Sequence, residues 1–196
     1  MRDSQDMDKG KNIDESQKSR GDKIKSAIGE IFIYAAIFIL CLFLVPEFIC
    51  CKYTVEGKSM ESTLKNGQQL IGEKVSYVFT DPKRFDVVVV QPYEGQKENY
   101  YVKRVIGLPG ETIEIKGSVL LIDGKVMNES HINETMWETT KYGPLTLGKD
   151  EYFVMGDNRN YSIDSREEGI GPIPKDRFIA KVFLRVWPLK KLSLIQ

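Results

Sequence analysis

The segment Gly57-Lys58-Ser59-Met60-Glu61-Ser62-Thr63-Leu64 places a serine in a short polar stretch downstream of a long apolar run. A serine so placed is either a nucleophile or a turn residue and helix N-cap. A nucleophile needs a base, and the one histidine of the chain, His131, lies in an Asn/Glu-rich stretch that reads as a surface loop. The base is therefore expected to be a lysine. Lys103 stands in Tyr100-Tyr101-Val102-Lys103-Arg104-Val105-Ile106-Gly107-Leu108-Pro109-Gly110-Glu111, where an apolar strand pattern runs into a Gly/Pro turn. Period-two alternation puts Lys103 on one face with Tyr101 and Val105, and Arg104 on the other with Val102 and Ile106. One of the two cations is thus expected to aim inward. A lysine acts as a base only when neutral, and at its ordinary pKa of ~10.4 fewer than about one in a thousand are neutral at pH 7. Burial must lower that pKa by roughly three units. Such a lysine costs stability at neutral pH, a cost relieved as pH rises toward ~10.4. A third segment, Gly156-Asp157-Asn158-Arg159-Asn160-Tyr161-Ser162-Ile163-Asp164-Ser165-Arg166, follows the apolar stretch Tyr152-Phe153-Val154-Met155.

The elements that must position these residues are strands. Tyr53 to Gly57 leads into Ser59, Gln68 to Val75 follows, and Asp81-Pro82 is a break. Asp86 to Val90 carries four consecutive valines, the mark of a strand buried on both faces. Glu111 to Lys116 alternates, Val119 to Ile122 returns, and Asp123-Gly124 suits a type I′ turn. Residues 128 to 147 read as an irregular loop with a small hairpin, and Phe178 to Trp187 as a final core strand. The expected fold class is mainly β. Upstream, residues 1–27 are polar and mixed in charge and read as a disordered tail. Ile31 to Val45 is an unbroken uncharged apolar run, and extended from Ile28 to Phe48, with Glu30 and Glu47 near the two interfaces, it is about 30 Å long as a helix, enough to cross a bilayer. Lys18, Arg20, Lys23 and Lys25 precede it closely, which keeps the N-terminus in the cytoplasm and the remainder outside. The bulky residues after the run, Pro46 to Cys51, offer no small-x-small processing site, so a retained anchor is expected rather than a cleaved leader. The expected organisation is a tail at 1–27, a transmembrane helix at 28–50 and an extracytoplasmic domain at 51–196.

The serine segment, the Asp86 to Val90 strand, the Lys103 to Gly110 segment and the Gly-Asp-Asn-Arg…Ser…Asp-Ser-Arg segment resemble, in order and content, the type I signal peptidases. The resemblance covers roughly Ile28 to Pro188 and is closest to the small, single-anchor forms of Gram-positive bacteria. It implies an antiparallel β-sheet catalytic domain with a LexA-like Ser-Lys peptidase core behind one N-terminal transmembrane helix. It also implies a membrane serine endopeptidase that cuts signal peptides from preproteins emerging from the export machinery. Ser59 would be the nucleophile and Lys103 the base, with Ser162 orienting the lysine and Asp164 and Arg166 supporting the site. Tyr53, Val55 and Gly57 on one side, and Tyr101 and Val102 on the other, would pair with an extended substrate, with small side chains chosen at the first and third residues before the cut. Two departures stand out. Some relatives carry a serine two residues before the nucleophile as an oxyanion donor, where this chain has Gly57. The family usually has proline where this chain has Ser62, so Ser62→Pro is expected to raise activity or stability modestly.

Composition excludes several other classes. The 28 basic and 28 acidic residues cancel, with no basic stripe to read nucleic acid. Cys41, Cys50 and Cys51 lie in or just after the apolar run, so the domain from Lys52 onward has no internal disulfide. One histidine gives no zinc spacing, and no metal or cofactor is expected. A LexA-like autoprotease would cut its own Ala-Gly bond, and the chain has no Ala-Gly pair. The remaining alternative is an inactive relative serving as a membrane-anchored chaperone for pilins or other surface proteins; retention of Ser59 and Lys103 argues against it.

Overall fold

The computed structural model describes residues 28–42, 50–95, 99–132 and 134–195 of the 196. Contacts divide the chain into two units, Met1–Pro46 and Glu47–Gln196. In the first, residues 28–42 form a helix, α1, whose apolar side chains are exposed all round. The rest of the expected membrane span, 43–49, lies outside the described residues, as does the expected tail at 1–27. No helix among the described residues is long and apolar enough to cross a membrane.

The second unit is mainly β, as expected. Its larger sheet runs β1 (Cys50–Thr54), β2 (Gln69–Glu73), β11 (Phe178–Trp187), β3 (Val87–Val90), β4 (Tyr101–Gly107), β9 (Glu151–Met155) and β10 (Ile173–Pro174), with β12 (Ser193–Leu194) added beside β11. Every pairing is antiparallel. β1 begins at Cys50, where the membrane helix was expected to end. A four-residue helix, α2 (Ser76–Phe79), joins β2 toward β3. A smaller sheet, β7 (Lys125–Val126), β6 (Val119–Ile122), β5 (Thr112–Lys116) and β8 (Lys141–Thr146), is inserted between β4 and β9. The insertion leaves and re-enters at one point, because Gly107 pairs with Phe153. A side chain at Gly107 would collide with Ile113, Leu147 and Phe153, so only glycine fits this junction.

The valine run behaves as its composition demands. Val87 and Val89 enter one core with Met60, Leu64 and Leu70, and Val88 and Val90 enter another with Val105, Val154 and Ile173. A third core, with Ile106, Ile113, Ile115, Phe153 and Met155, joins the small sheet to the large one. The Asp123-Gly124 turn has positive φ at both residues, as a type I′ hairpin requires. The stretch 128–147 departs from expectation: it holds no hairpin of its own among the described residues, and Lys141–Thr146 is a strand on the edge of β5. Gly143-Pro144 in its middle hid it, since a Gly-Pro pair interrupts apolar alternation and reads as a turn.

Candidate active site

Ser59 sits on a turn after β1. The turn is closed by the Glu61 N–H on the Lys58 carbonyl (3.0 Å) and the Leu64 N–H on the Met60 carbonyl (2.7 Å). Met60 and Leu64 are fully buried and anchor it; each contributes about 1.5–3 kcal/mol by leaving water. The polar turn is thus nailed to the core on both sides of its solvent-facing residues.

Lys103 lies in the middle of β4 and is 4% exposed. Its Nζ is 2.8 Å from Ser59 Oγ and 5.1 Å from the centre of the Tyr101 ring. Burial pushes its pKa down from 10.5 to about 8, an effect opposed by the Asp164 charge and reinforced by Arg166. The expectation of one inward cation is wrong: Arg104 is also buried, at 2% exposure. β4 is covered on both faces, and Arg104 is received by Asp157 at 2.8 Å from both Nε and Nη2 and by the Phe85 carbonyl at 2.8 Å. Thr63 Oγ1 also donates to Asp157, at 2.5 Å, tying the serine turn to this ion pair.

Ser162, Asp164 and Arg166 come together on the loop after β9. The Asp164 carboxylate accepts from the Gly156 N–H at 3.0 Å and from Arg166 Nε and Nη2 at 2.8 and 2.9 Å. Burial alone would raise its pKa, but the guanidinium and the Gly156 N–H hold it below the ordinary carboxylate value. Ser162 Oγ is buried beside that carboxylate and adds to the lowering, although it forms no hydrogen bond of good geometry among the described residues. Gly156 makes this packing possible: a Cβ there would fall 2.3 Å from both Ser162 Oγ and the Ser59 carbonyl oxygen.

A groove of about 630 Å³ runs past Ser59 and Lys103. Tyr53, Val55, Gly57, Tyr101 and Val102 all line it, together with Tyr161 and Ile163. Tyr101 to Lys103 pair with β3 on one side, while the ladder to β9 begins only at Arg104. Among the described residues β1 likewise pairs on one side only, with β2. Two backbone edges therefore stay open at the groove.

Three features were not legible in advance. His131 is half-buried rather than on a surface loop: its ring packs 5.1 Å from Phe85 and lies between Glu129, Asp157 and Arg159. Burial and the Arg104 charge push its pKa down, so it stays neutral within this cluster. Asn158 touches both carbonyls flanking Ser59: its N–H donates to Ser59 O at 3.0 Å and its Nδ2 to Lys58 O at 3.1 Å. Its place three residues after a buried strand that ends beside the site was the available signal. Ser62 has φ +126°, a conformation closed to proline, whose ring holds φ near −65°. The expected benefit of Ser62→Pro is therefore reversed. The Ser62 hydroxyl instead donates to the His131 carbonyl at 3.2 Å.

Among the described residues no cluster of histidine, cysteine and acidic side chains could hold a metal ion. The chain is 40% identical over 164 residues to signal peptidase I P of Bacillus subtilis subsp. natto, covering 80% of this chain and 87% of that protein. It is 34% identical to signal peptidase IB of Staphylococcus aureus, covering 87% and 95% of the two chains. Among solved structures it is similar to a signal peptidase I from Enterococcus faecalis, at 27% identity and a TM-score of 0.42, over 52% of this chain and 97% of that one. The family model described as signal peptidase, peptidase S26, matches residues 27–187, and the chain belongs to that family.

Proposed function

We propose that this chain is a membrane-anchored serine endopeptidase that removes N-terminal signal peptides from exported preproteins, with Ser59 as nucleophile and Lys103 as general base. Family membership makes it a signal-peptide-removing serine peptidase. The observation that carries the residue assignment is the 2.8 Å contact between Lys103 Nζ and Ser59 Oγ, made by a lysine whose burial favours its neutral form.

Neutral Lys103 takes the Ser59 proton as Oγ attacks the scissile carbonyl carbon, and the π electrons move onto the carbonyl oxygen. The ammonium then gives that proton to the leaving amine as the peptide C–N bond breaks, leaving an ester on Ser59. Lys103, neutral again, removes a proton from water as its oxygen attacks the ester carbonyl, and the ammonium then gives that proton to Ser59 Oγ as the ester C–O bond breaks, releasing the signal peptide and restoring both residues. Asp164 and Arg166, through their ion pair, and Ser162 beside it hold the lysine's surroundings. The open edges of β1 and of Tyr101 to Lys103 support substrate binding as an added strand. On this reading the core is a Ser-Lys peptidase core of the LexA-like kind. Residues 28–50 are the anchor, residues 1–27 lie in the cytoplasm, and 51–196 work at the outer face of the bilayer.

The test is cleavage of a secretory preprotein in detergent or lipid by wild type, Ser59→Ala and Lys103→Ala, each checked for folding. Cleavage after a small-x-small motif by wild type, with both folded variants inert, is the expected result. A folded variant that still cuts would overturn the dyad.

A further inference from the structure

We propose that Asn158 is the positioning residue for the oxyanion donor: its side-chain amide holds the Lys58 carbonyl so that the Ser59 N–H is turned into the groove. The inference rests on the Ser59–Lys103 reading above and adds to it the group that aims the stabilising donor.

The argument starts from the peptide bond. Among the described residues the cis bonds are Gly143-Pro144 and Trp187-Pro188, so the Lys58–Ser59 bond is trans. In a trans peptide the C=O and N–H point in opposite directions across a rigid plane. Whatever fixes the Lys58 oxygen therefore also fixes the Ser59 N–H. That oxygen accepts two hydrogen bonds, from Asn158 Nδ2 at 3.1 Å and from the Glu61 N–H at 3.0 Å. The next carbonyl, that of Ser59, accepts from the Asn158 backbone N–H at 3.0 Å. One residue thus grips both carbonyls that flank the nucleophile. Upstream, the Gly57 N–H donates to Asn66 Oδ1 at 2.9 Å, so the peptide is held before the serine as well as after it.

The surroundings give the direction. Asn158 lines a polar cavity of about 680 Å³ with Glu61, Lys65 and Glu134, while Ser59 and Lys103 line the groove. Lys58 borders both, as does Tyr161, and its carbonyl is held from the Asn158 side. With the carbonyl turned to the Asn158 side, the N–H faces the groove. Among the described residues nothing accepts a hydrogen bond from the Ser59 N–H. It is kept for an acceptor that arrives with the substrate, namely the carbonyl oxygen that becomes anionic during attack. Gly57 brings no side-chain donor, which leaves this N–H more of the burden and makes its aim matter more.

The experiment uses the full chain in detergent micelles and a synthetic peptide with Ala-x-Ala before the scissile bond. Wild type, Ser59→Ala, Asn158→Asp and Asn158→Ala are compared. Asn158→Asp keeps the shape and the backbone N–H but sets a carboxylate oxygen against the Lys58 carbonyl. The expected result is a kcat loss of roughly 10- to 100-fold, with KM within about twofold and the acid limb of the pH profile unmoved. A peptide aldehyde, whose tetrahedral adduct puts its oxygen at the same N–H, loses affinity by the same factor as kcat/KM. Binding of the uncleaved peptide to a Ser59→Ala protein is unchanged by adding Asn158→Asp. Asn158→Ala, which only deletes the donor, carries the test if the carboxylate variant does not fold. A folded Asn158 variant with wild-type kcat, a change confined to KM, or a displaced acid limb at unchanged plateau would overturn the inference while leaving the dyad standing. An inert wild type, or an active Ser59→Ala, would overturn the dyad and this inference with it.

Discussion

The Arg104 guanidinium and the Asp157 carboxylate share two hydrogen bonds of 2.8 Å in a site from which water is excluded. Lys103, the residue before, is buried to a similar degree, but its hydrogen bond goes to a hydroxyl rather than a carboxylate. Two adjacent cations thus meet opposite fates. The arginine is compensated by a carboxylate; the lysine is left to lose its proton. Removing one member of the compensated pair, as in Asp157→Asn, takes the carboxylate from a buried guanidinium and should cost about 3–5 kcal/mol. Urea denaturation measures this.

The Lys103 shift makes two linked predictions. Since only the neutral amine is a base, kcat/KM should rise about tenfold per pH unit below about 8 and level off above it. The folded pKa lies below the unfolded one, so the penalty is full below about 8 and fades as pH rises to 10.5. Lys103→Met should therefore abolish cleavage yet stabilise the fold by up to about 3 kcal/mol near pH 6.5, with the gain gone near pH 10.5. Equal denaturation midpoints for the two proteins at pH 6.5 would contradict this.

Asp164→Asn should move the acid limb of the activity profile to lower pH, because the Asp164 charge favours the ammonium form of Lys103. It should also destabilise the fold by about 3 kcal/mol through the unpaired Arg166. The folded pKa of Asp164 is depressed, so its contribution is complete above the ordinary value of 3.8 and is lost as pH falls below it. Asp164→Asn should match wild type in stability only in strong acid.

At Gly156 one methyl group is enough. A Cβ at 2.3 Å from the Ser59 carbonyl cannot be relieved by a side-chain rotation, because the obstacle is backbone. Gly156→Ala should cost about 1–3 kcal/mol and at least tenfold in kcat as Ser59 and Ser162 are forced apart. Thermal melting and steady-state kinetics read the two effects separately.

At Ser62 the positive φ sets the order of variants. Ser62→Gly should stabilise slightly or leave stability unchanged, and Ser62→Pro should destabilise by more than about 1 kcal/mol. The reverse order would mean that the turn takes another shape in solution.

Much of this site could be read from residue types. Ser59, Lys103 and the Ser162 to Arg166 segment lie in stretches whose composition is unusual for their place, and the valine run announced a strand buried on both faces. Alternation failed at Arg104, because it predicts the face of a side chain and not whether the far face is also covered. His131 and Lys141 to Thr146 were missed for a related reason: one has polar neighbours and the other a central Gly-Pro, and their burial or pairing comes from partners distant in sequence. Ser62 shows the limit of local rules, since its positive φ belongs to the hydrogen-bonded turn from Lys58 to Leu64 and not to its residue type.

The meeting of Gly107 and Phe153 makes the stretch from 108 to 150 a graft with a single point of attachment. Its Asp123-Gly124 turn, held to Thr112 at the near end of the small sheet, is exposed, so foreign sequence spliced there lengthens the graft without parting β4 from β9. Cutting the graft away is another matter, for it would strip the cover from Ile106, Phe153 and Met155 and take from buried Arg159 its Glu129 partner. The appendage is free to grow but not to vanish, which makes its Asp123-Gly124 turn the natural place for a spectroscopic label in a working enzyme.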